Sequence, residues 1–418
     1  MKLSDFSFKL GQREFLPLLQ GGMGVNISTA ALALEMARLG AIGHISDALS
    51  PYLSDRMFKT TYHKDKSIQF KDRVDDFPKP GVKWDEAKVY EASKNYCRDT
   101  MSKVKGSGGV FINVMEKLGM GAPAETLRAR LQGAMDGGID GITLSAGLHT
   151  GSLQLVTDHP RFRDVLFGII VSSARALKIF LRSAQRAERL PDYIIVEGPL
   201  AGGHLGFGMD WHKFDLRTIV QDVLHFLKEN GLKIPVIPAG GIFTGADAVS
   251  YLQQGAEAVQ VATRFTISRE CGLPEATKQI YLKSREEDVV VNLISPTGYP
   301  MRMLVSSPSM RSNIKPQCEP LGYILDAEGK CQYHDAYAQT GFDSNGKKLP
   351  VTNKMCICHH FMKYDCYTCG HNVFKLKDTT TTQADGSYVL PSAEQVATDY
   401  LHTACELHNL EEALAAVA

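Results

Sequence analysis

The sequence predicts an α/β fold: a closed (β/α)8 TIM barrel with a helical insertion and a small Cys-rich C-terminal region. Three observations predict it. Short apolar runs alternate with longer amphipathic segments from Phe15 to about Tyr281, the pattern of parallel strands joined by helical crossovers. Eight such runs fall within roughly 270 residues, which suits a closed barrel. The first run ends Gln20-Gly21-Gly22-Met23-Gly24, without the G-x-G-x-x-G spacing that usually marks a dinucleotide site in an open, doubly wound sheet.

The expected strands are Phe15–Leu19, Ala41–Ile45, Val110–Val114, Gly141–Leu144, Val165–Val171, Tyr193–Val196, Val236–Pro238 and Ala258–Val261. Each is short and mostly apolar, as a strand buried on both faces should be. Helical periodicity fills most of the gaps, over Thr29–Leu39, Pro123–Asp136, Ala174–Arg189, Leu216–Glu229 and Ala246–Gln253. The charged segment Arg56–Lys105 is helical in pattern, broken at Pro78-Lys79-Pro80-Gly81, and reads as an insertion after the second strand. The barrel is expected over residues 1–295. Residues 296–418 form the second region, where periodicity fades and apolar runs are too few for an independent core without a staple. Ser392-Ala393-Glu394-Gln395 opens a final helix with a serine cap.

Composition narrows the function. The chain has 418 residues, 44% hydrophobic and 22% charged, with a formal net charge of zero. That balance gives no global attraction to nucleic acid or to an anionic membrane. No window reaches the length of a membrane span, and the first residues lack a secretory h-region. A cytoplasmic enzyme is expected, in which nine cysteines are not a disulfide framework.

The chemistry concentrates where strands end. Tyr193–Val196 runs into Glu197-Gly198-Pro199-Leu200-Ala201-Gly202-Gly203-His204-Leu205-Gly206-Phe207. Glycines there let a flat ligand approach the backbone. His204 stands at the carboxyl end of a barrel strand, where such folds place catalytic groups, and imidazole suits proton transfer near neutral pH. After the seventh strand comes Ala239-Gly240-Gly241, and after the eighth Ala262-Thr263-Arg264-Phe265. Barrels often bind a phosphate between these two loops. Gly240, Gly241 and Thr263 are the candidates to hold it. No acidic pair flanks them, so the phosphate would belong to a bound cofactor rather than a metal complex. Gly22, Met23, Asn113 and Ser172 end other strands at the same mouth. Asn113 offers amide groups to a heteroaromatic edge and Glu197 an acceptor for a ribityl hydroxyl. Local capping is the bland alternative for both.

Six of the nine cysteines fall between 318 and 369. Cys356-x-Cys358 and Cys366-x-x-Cys369 form two close pairs able to ligate one soft centre. Cys318, Cys331, His334, His359, His360 and His371 are additional ligand candidates. An iron–sulfur cluster, a structural zinc and redox-labile thiols all fit this pattern. Cys97, Cys271 and Cys405 read as buried small hydrophobes. The helix after the fifth strand carries Arg175, Lys178, Arg182, Arg186 and Arg189 at steps of three and four. They form either an ordinary solvated face or a docking face for an acidic partner.

Taken in order, Gln20–Gly24, Glu197–Phe207, Ala239–Gly241 and Gln260–Phe265 resemble the FMN-dependent nitronate monooxygenase and enoyl-ACP reductase II superfamily. The resemblance covers about residues 10–310. It implies FMN across the barrel mouth, with Gly202, Gly203, Gln260 and Ala262 joining the cofactor-binding candidates. It also implies that His204 is the catalytic base or substrate anchor. A narrower resemblance, through Glu197–His204, Phe207, Ser295-Pro296-Thr297-Gly298-Tyr299-Pro300 and Arg302, is to the decanoyl-ACP dehydrogenase/isomerase branch of bacterial unsaturated fatty acid synthesis. That branch carries a 4Fe–4S cluster in a Cys-rich C-terminal region. The function so implied is dehydrogenation of a medium-chain acyl-ACP to the trans-2-enoyl form and isomerisation to cis-3, with acyl carrier protein as partner and oxygen as electron acceptor. Nitronate monooxygenation and NAD(P)H-dependent enoyl-ACP reduction are the enzymatic alternatives, and a cofactor-bearing sensor or scaffold the non-enzymatic one. A homodimer is left open.

Overall fold

The computed structural model describes residues 1–70, 83–116, 122–317 and 331–404. Eight parallel strands close into a barrel. They are β1 (Leu18–Gln20), β2 (Ile42–Ser46), β3 (Gly109–Met115), β4 (Gly141–Ser145), β5 (Leu166–Val171), β6 (Tyr193–Glu197), β7 (Val236–Ala239) and β8 (Val259–Val261). Closure is made by β8 on β1, with Val259 opposite Leu18 and Val261 opposite Gln20.

The barrel interior alternates large and absent side chains. The rings of Phe111 and Tyr193 fill the centre, 5.7 Å apart. Their neighbours Gly141 and Gly168 have no room for a side chain: a Cβ on Gly168 would sit 2.0 Å from the Tyr193 ring. A hydroxyl–imidazole chain crosses the same interior. Tyr193 Oη and Thr143 Oγ1 are 2.6 Å apart, His44 Nε2 lies 2.6 Å from Thr143 Oγ1, and His44 Nδ1 lies 2.6 Å from the Gln20 carbonyl. These bonds satisfy groups that burial would otherwise make costly.

One expected strand divides. Phe15–Leu19 is not continuous: Arg13–Phe15 pairs antiparallel with Phe8–Leu10 as a separate hairpin, and β1 starts at Leu18. Pro17 stands at the break, where it has no N–H to give to a ladder. Phe8 and Phe15 then pack into the barrel interior with Leu19, Phe111 and Tyr193.

The segment after β2 is helical at Ser50–Phe58, Tyr62–Phe70 and Glu86–Met101. The proline–glycine break at 78–81 lies outside the described residues. Glu86–Met101 is the crossover helix a barrel requires between β2 and β3. It packs on Pro123–Asp136 at Gly133, where an added Cβ would meet the Tyr90 carbonyl at 2.5 Å. The insertion proper is therefore shorter than the charged run suggests.

The C-terminal region lies over the barrel mouth. Met301–Leu304 pairs antiparallel with Val289–Asn292 on one side and with Gly203–His204 on the other. Its apolar residues share clusters with the barrel: Val373 and Leu376 pack with Ile267, Tyr281 and Leu282. The final helix, Ala393–His402, is capped by Ser392 and Gln395 in a capping box. It lies against the β7 and β8 loops through Arg264–Asp399 at 2.5 Å and Tyr400 Oη to the Ile242 carbonyl at 3.2 Å. Among the described residues no helix is long and apolar enough to cross a membrane.

Candidate active site

The carboxyl ends of the strands surround a cavity of about 570 Å³. Gly22, Met23, Asn113, Ser172, Glu197, Gly202, Gly203, His204, Gly240, Gly241, Gln260, Ala262 and Thr263 all line it. The structure therefore brings every cofactor-binding and catalytic candidate to one place.

His204 follows Gly203, whose φ of +69° is open to glycine at little cost. The strand pairing of Gly203–His204 with Met301–Leu304 fixes the backbone. The ring is held too. Nε2 lies 2.7 Å from Ser295 Oγ, and that hydroxyl lies 2.8 Å from Thr297 Oγ1. The Phe361 ring stands edge-on to the imidazole, with centroids 6.3 Å apart.

Arg302 lies behind this segment, fully buried. Its Nη1 donates to the Pro199 carbonyl at 2.8 Å and to the Ala201 carbonyl, and its guanidinium stacks 4.5 Å from the Trp211 ring centre. It thus pins the turn that leads into Gly202-Gly203-His204. Burial lowers its pKa to about 10.

The mouth fits a flat, phosphate-bearing cofactor. Asn113 Oδ1 and Gln260 Oε1 are buried without a hydrogen-bond partner among the described residues, an arrangement that calls for a ligand donor. Gly22 packs against Asn113 so closely that a Cβ would fall 2.3 Å from its side chain. Gly240 and Gly241 turn with φ of +96° and +89°, which keeps the loop after β7 bare of side chains. Glu197 ends β6 in the same wall, and burial pushes its carboxyl up to about 7. The strand end that carries Asn113 is braced from below by a buried Asp47–Arg130 pair, with Arg130 Nη1 also donating to the Met115 carbonyl at 2.8 Å.

Sequence reasoning missed the second half of the wall. Thr297, Tyr299, His360, Phe361, Tyr364, Tyr367, Thr368 and Gly370 also line the cavity. Thr297 and Tyr299, with Ser295, enter the sequence analysis only as part of a motif, and His360 only as a metal-ligand candidate. The aromatic residues at 361–367 sit in a stretch without periodicity, so no local signal places them over a barrel mouth.

The four cysteines of the two close pairs are all buried: Cys356 and Cys358 at 5% exposure, Cys366 and Cys369 at 3%. Cys358 and Cys366 share one apolar cluster with Met355. Cys356 packs with Cys331 against Tyr333, and Cys369 packs with Leu304 and Val373. Cys356 Sγ accepts a hydrogen bond from the Gln317 N–H at 3.3 Å and Cys366 Sγ one from Ser309 Oγ at 3.9 Å. Such donors suit metal-bound thiolates. Among the described residues, the trio of ligand atoms within 4.8 Å of one another is His359, His360 and Asp365, held by a 2.7 Å contact from His360 Nδ1 to Asp365 Oδ1. Cys97 and Cys271 are buried free thiols. Cys318 and Cys405 lie outside the described residues.

After β5, Arg175, Lys178 and Arg182 on the helix and Arg186 in the 3-10 turn that follows it are exposed, but Arg189 is not. Helical periodicity ends at Ala184, and Arg189 turns inward over the Phe162 and Phe167 rings to pair with Asp192 at 2.7 Å. The basic face therefore consists of four residues.

Comparison with known proteins gives the family and the fold. Residues 112–350 match the family described as nitronate monooxygenase. A probable nitronate monooxygenase of Staphylococcus saprophyticus is 35% identical over 111 residues, 27% of this chain and 31% of that protein. A hydroxy-methyl-oxo-octahydroindene carboxyl-CoA dehydrogenase of Mycobacterium tuberculosis is 34% identical over 113 residues, 27% of this chain and 29% of that protein. The alignment thus spans under a third of either relative. Two solved structures share the fold. FabK from Thermotoga maritima has a TM-score of 0.54 at 18% identity, covering 96% of this chain and 94% of that one. Nitroalkane oxidase from Streptomyces ansochromogenes has a TM-score of 0.56 at 14% identity, covering 96% and 97%.

Proposed function

Because the chain belongs to the nitronate monooxygenase family of oxidoreductases, we propose that it is an FMN-dependent enzyme acting on a medium-chain acyl thioester of acyl carrier protein. In this reading the acyl chain is desaturated at Cα–Cβ and the new double bond is then moved to cis-3. A bound FMN supplies the electron-accepting chemistry. Gly240, Gly241 and Thr263 would hold its phosphate. Asn113 and Gln260 would present their unpaired amide oxygens to its ring donors.

His204 takes the Cα proton, which the thioester carbonyl makes acidic. Once that proton has passed to water and the ring is neutral again, His204 takes a proton from Cγ and returns it at Cα on the same face of the chain. Ser295 orients the ring for both steps. The observation that carries the reading is the apolar wall beside this base, with Phe361 edge-on to His204 and Tyr364 and Tyr367 in the same lining. A hydrocarbon chain gains from such a wall what a polar substrate does not. The thioester in the name of the Mycobacterium tuberculosis relative and the four exposed cations beside β5 support an acyl group on an acidic carrier.

The family match favours a second reading, nitronate monooxygenation, in which the same base would deprotonate a nitroalkane. Anaerobic mixing of the yellow protein with decanoyl-ACP separates the two. Bleaching of the flavin band with decenoyl products is the expected result. Bleaching by nitroethane alone overturns the thioester reading.

A further inference from the structure

The loops assigned to a cofactor phosphate do not stand alone. One short segment of the Cys-rich region touches all of them. Asn372 Nδ2 donates to the Gly241 carbonyl at 2.8 Å, and the His371 N–H donates to the Leu200 carbonyl at 3.1 Å. Gly370 lies so near the loop after β8 that a Cβ on it would sit 2.2 Å from Thr263 Oγ1. A Cβ on Gly202 would sit 2.6 Å from the Gly370 nitrogen. The segment is anchored from behind by Tyr281 Oη to the Thr368 carbonyl at 2.6 Å and by the Cys369 N–H to the Arg302 carbonyl at 3.3 Å. Thr368 and Gly370 both line the cavity.

We propose that Thr368–Asn372 is a latch across the phosphate end of the flavin site, so that cofactor binding and docking of the Cys-rich region are one coupled equilibrium. The inference rests on the reading that this cavity takes FMN. A phosphate dianion needs several converging donors in fixed positions. The loops after β6, β7 and β8 each have at least one tie to the latch, and these ties order the loops before the phosphate arrives. Linkage then works in both directions: whatever docks the latch tightens FMN, and FMN holds the latch down by the same factor. The effect runs through the phosphate end. Riboflavin, which has the same ring and no phosphate, should therefore feel it little.

The test uses the full chain with its flavin removed and reads binding and proteolysis, not turnover. FMN is expected to slow protease cleavage in the Cys-rich region by at least about tenfold at saturation, with riboflavin at equal occupancy leaving cleavage nearly unchanged. Asn372→Ala is expected to weaken FMN by about five- to tenfold, the loss of one buried hydrogen bond, while riboflavin affinity stays within about twofold. If that variant does not fold, Gly370→Ala, which forces the latch away from Thr263, should give the same contrast. Equal protection by FMN and riboflavin, or equal weakening of both, overturns the latch while leaving the flavin reading intact. A wild-type chain that binds neither flavin overturns both.

Discussion

The His204 imidazole is held at Nε2 by Ser295, and Ser295 in turn by Thr297. A base oriented in this way should lose more by removal than by loosening. His204→Ala is expected to keep its flavin but lose about 10²- to 10⁴-fold in proton transfer, the usual contribution of a positioned base. Ser295→Ala removes the hydrogen bond that orients His204 and should cost about tenfold in kcat. Steady-state rates beside flavin occupancy check both, and a His204→Ala enzyme within threefold of wild type would remove the base from the mechanism. Glu197 supplies a pH prediction. Burial raises its carboxyl to about 7 from 4.5. Between those values the folded chain keeps a proton the unfolded chain has lost, so stability falls as pH rises through that window. His44 and His149 pull the other way. Burial lowers both to about 4, so the stability they carry is lost as pH falls from about 6.5 towards 4. Comparing flavin-free wild type with Glu197→Gln cancels the histidines. The melting temperature of wild type relative to the variant should decline from about pH 5 to about pH 8. A flat difference would place Glu197 in contact with water rather than in the wall.

At the scale of elements, a helix at the barrel wall must let its neighbour approach. Gly133 on Pro123–Asp136 allows Glu86–Met101 to come so near that an added Cβ meets the Tyr90 carbonyl at 2.5 Å and Ser93 Cβ at 2.8 Å. Gly133→Ala is expected to destabilise by about 1–3 kcal/mol through overpacking, even though alanine is the better helix former. A lowered urea midpoint with an unchanged slope would show it, and a raised midpoint would mean the two helices can separate at no cost. The strands were legible because burial on both faces demands unbroken apolar runs, and β2 to β8 lie where those runs are. The first strand was misjudged because Phe15 and Leu19 are equally apolar. Only Pro17 marked the change from hairpin to barrel. In the sequence the helix at Glu86–Met101 reads as insertion because its exposed face is charged, and charge does not distinguish a crossover helix from an inserted one.

At the scale of the molecule, the Cys-rich region is a lid built from another part of the chain. Its residues reach the active site through contacts between distant positions, such as Arg302 with Pro199 and Asn372 with Gly241. Sequence periodicity does not record such contacts. What it did record is the spacing of Cys356, Cys358, Cys366 and Cys369, and that leads to the last prediction. Four thiols buried to within 5% of full coverage sit in small apolar clusters, some shared with the barrel and one, around Tyr333 and Val351, confined to this region, and that is little apolar content for so long a segment. Metal ligation would supply the missing folding free energy directly. Iron and labile sulfide near four each per chain, roughly the content of one thiolate-ligated cubane, are expected from elemental analysis of protein purified without oxygen. Zinc near one per chain, about the content of a structural site, would replace the cluster with a tetrahedral staple. Serine at any true ligand should release the metal and speed proteolysis between about residues 331 and 392, and through the Cys369–Gly370 contacts with Gly202 and Thr263 it should also loosen the flavin. If all four thiols react with iodoacetamide at the rate of exposed cysteine while the chain stays folded and yellow, the region has no metal centre and its order comes from packing on the barrel alone.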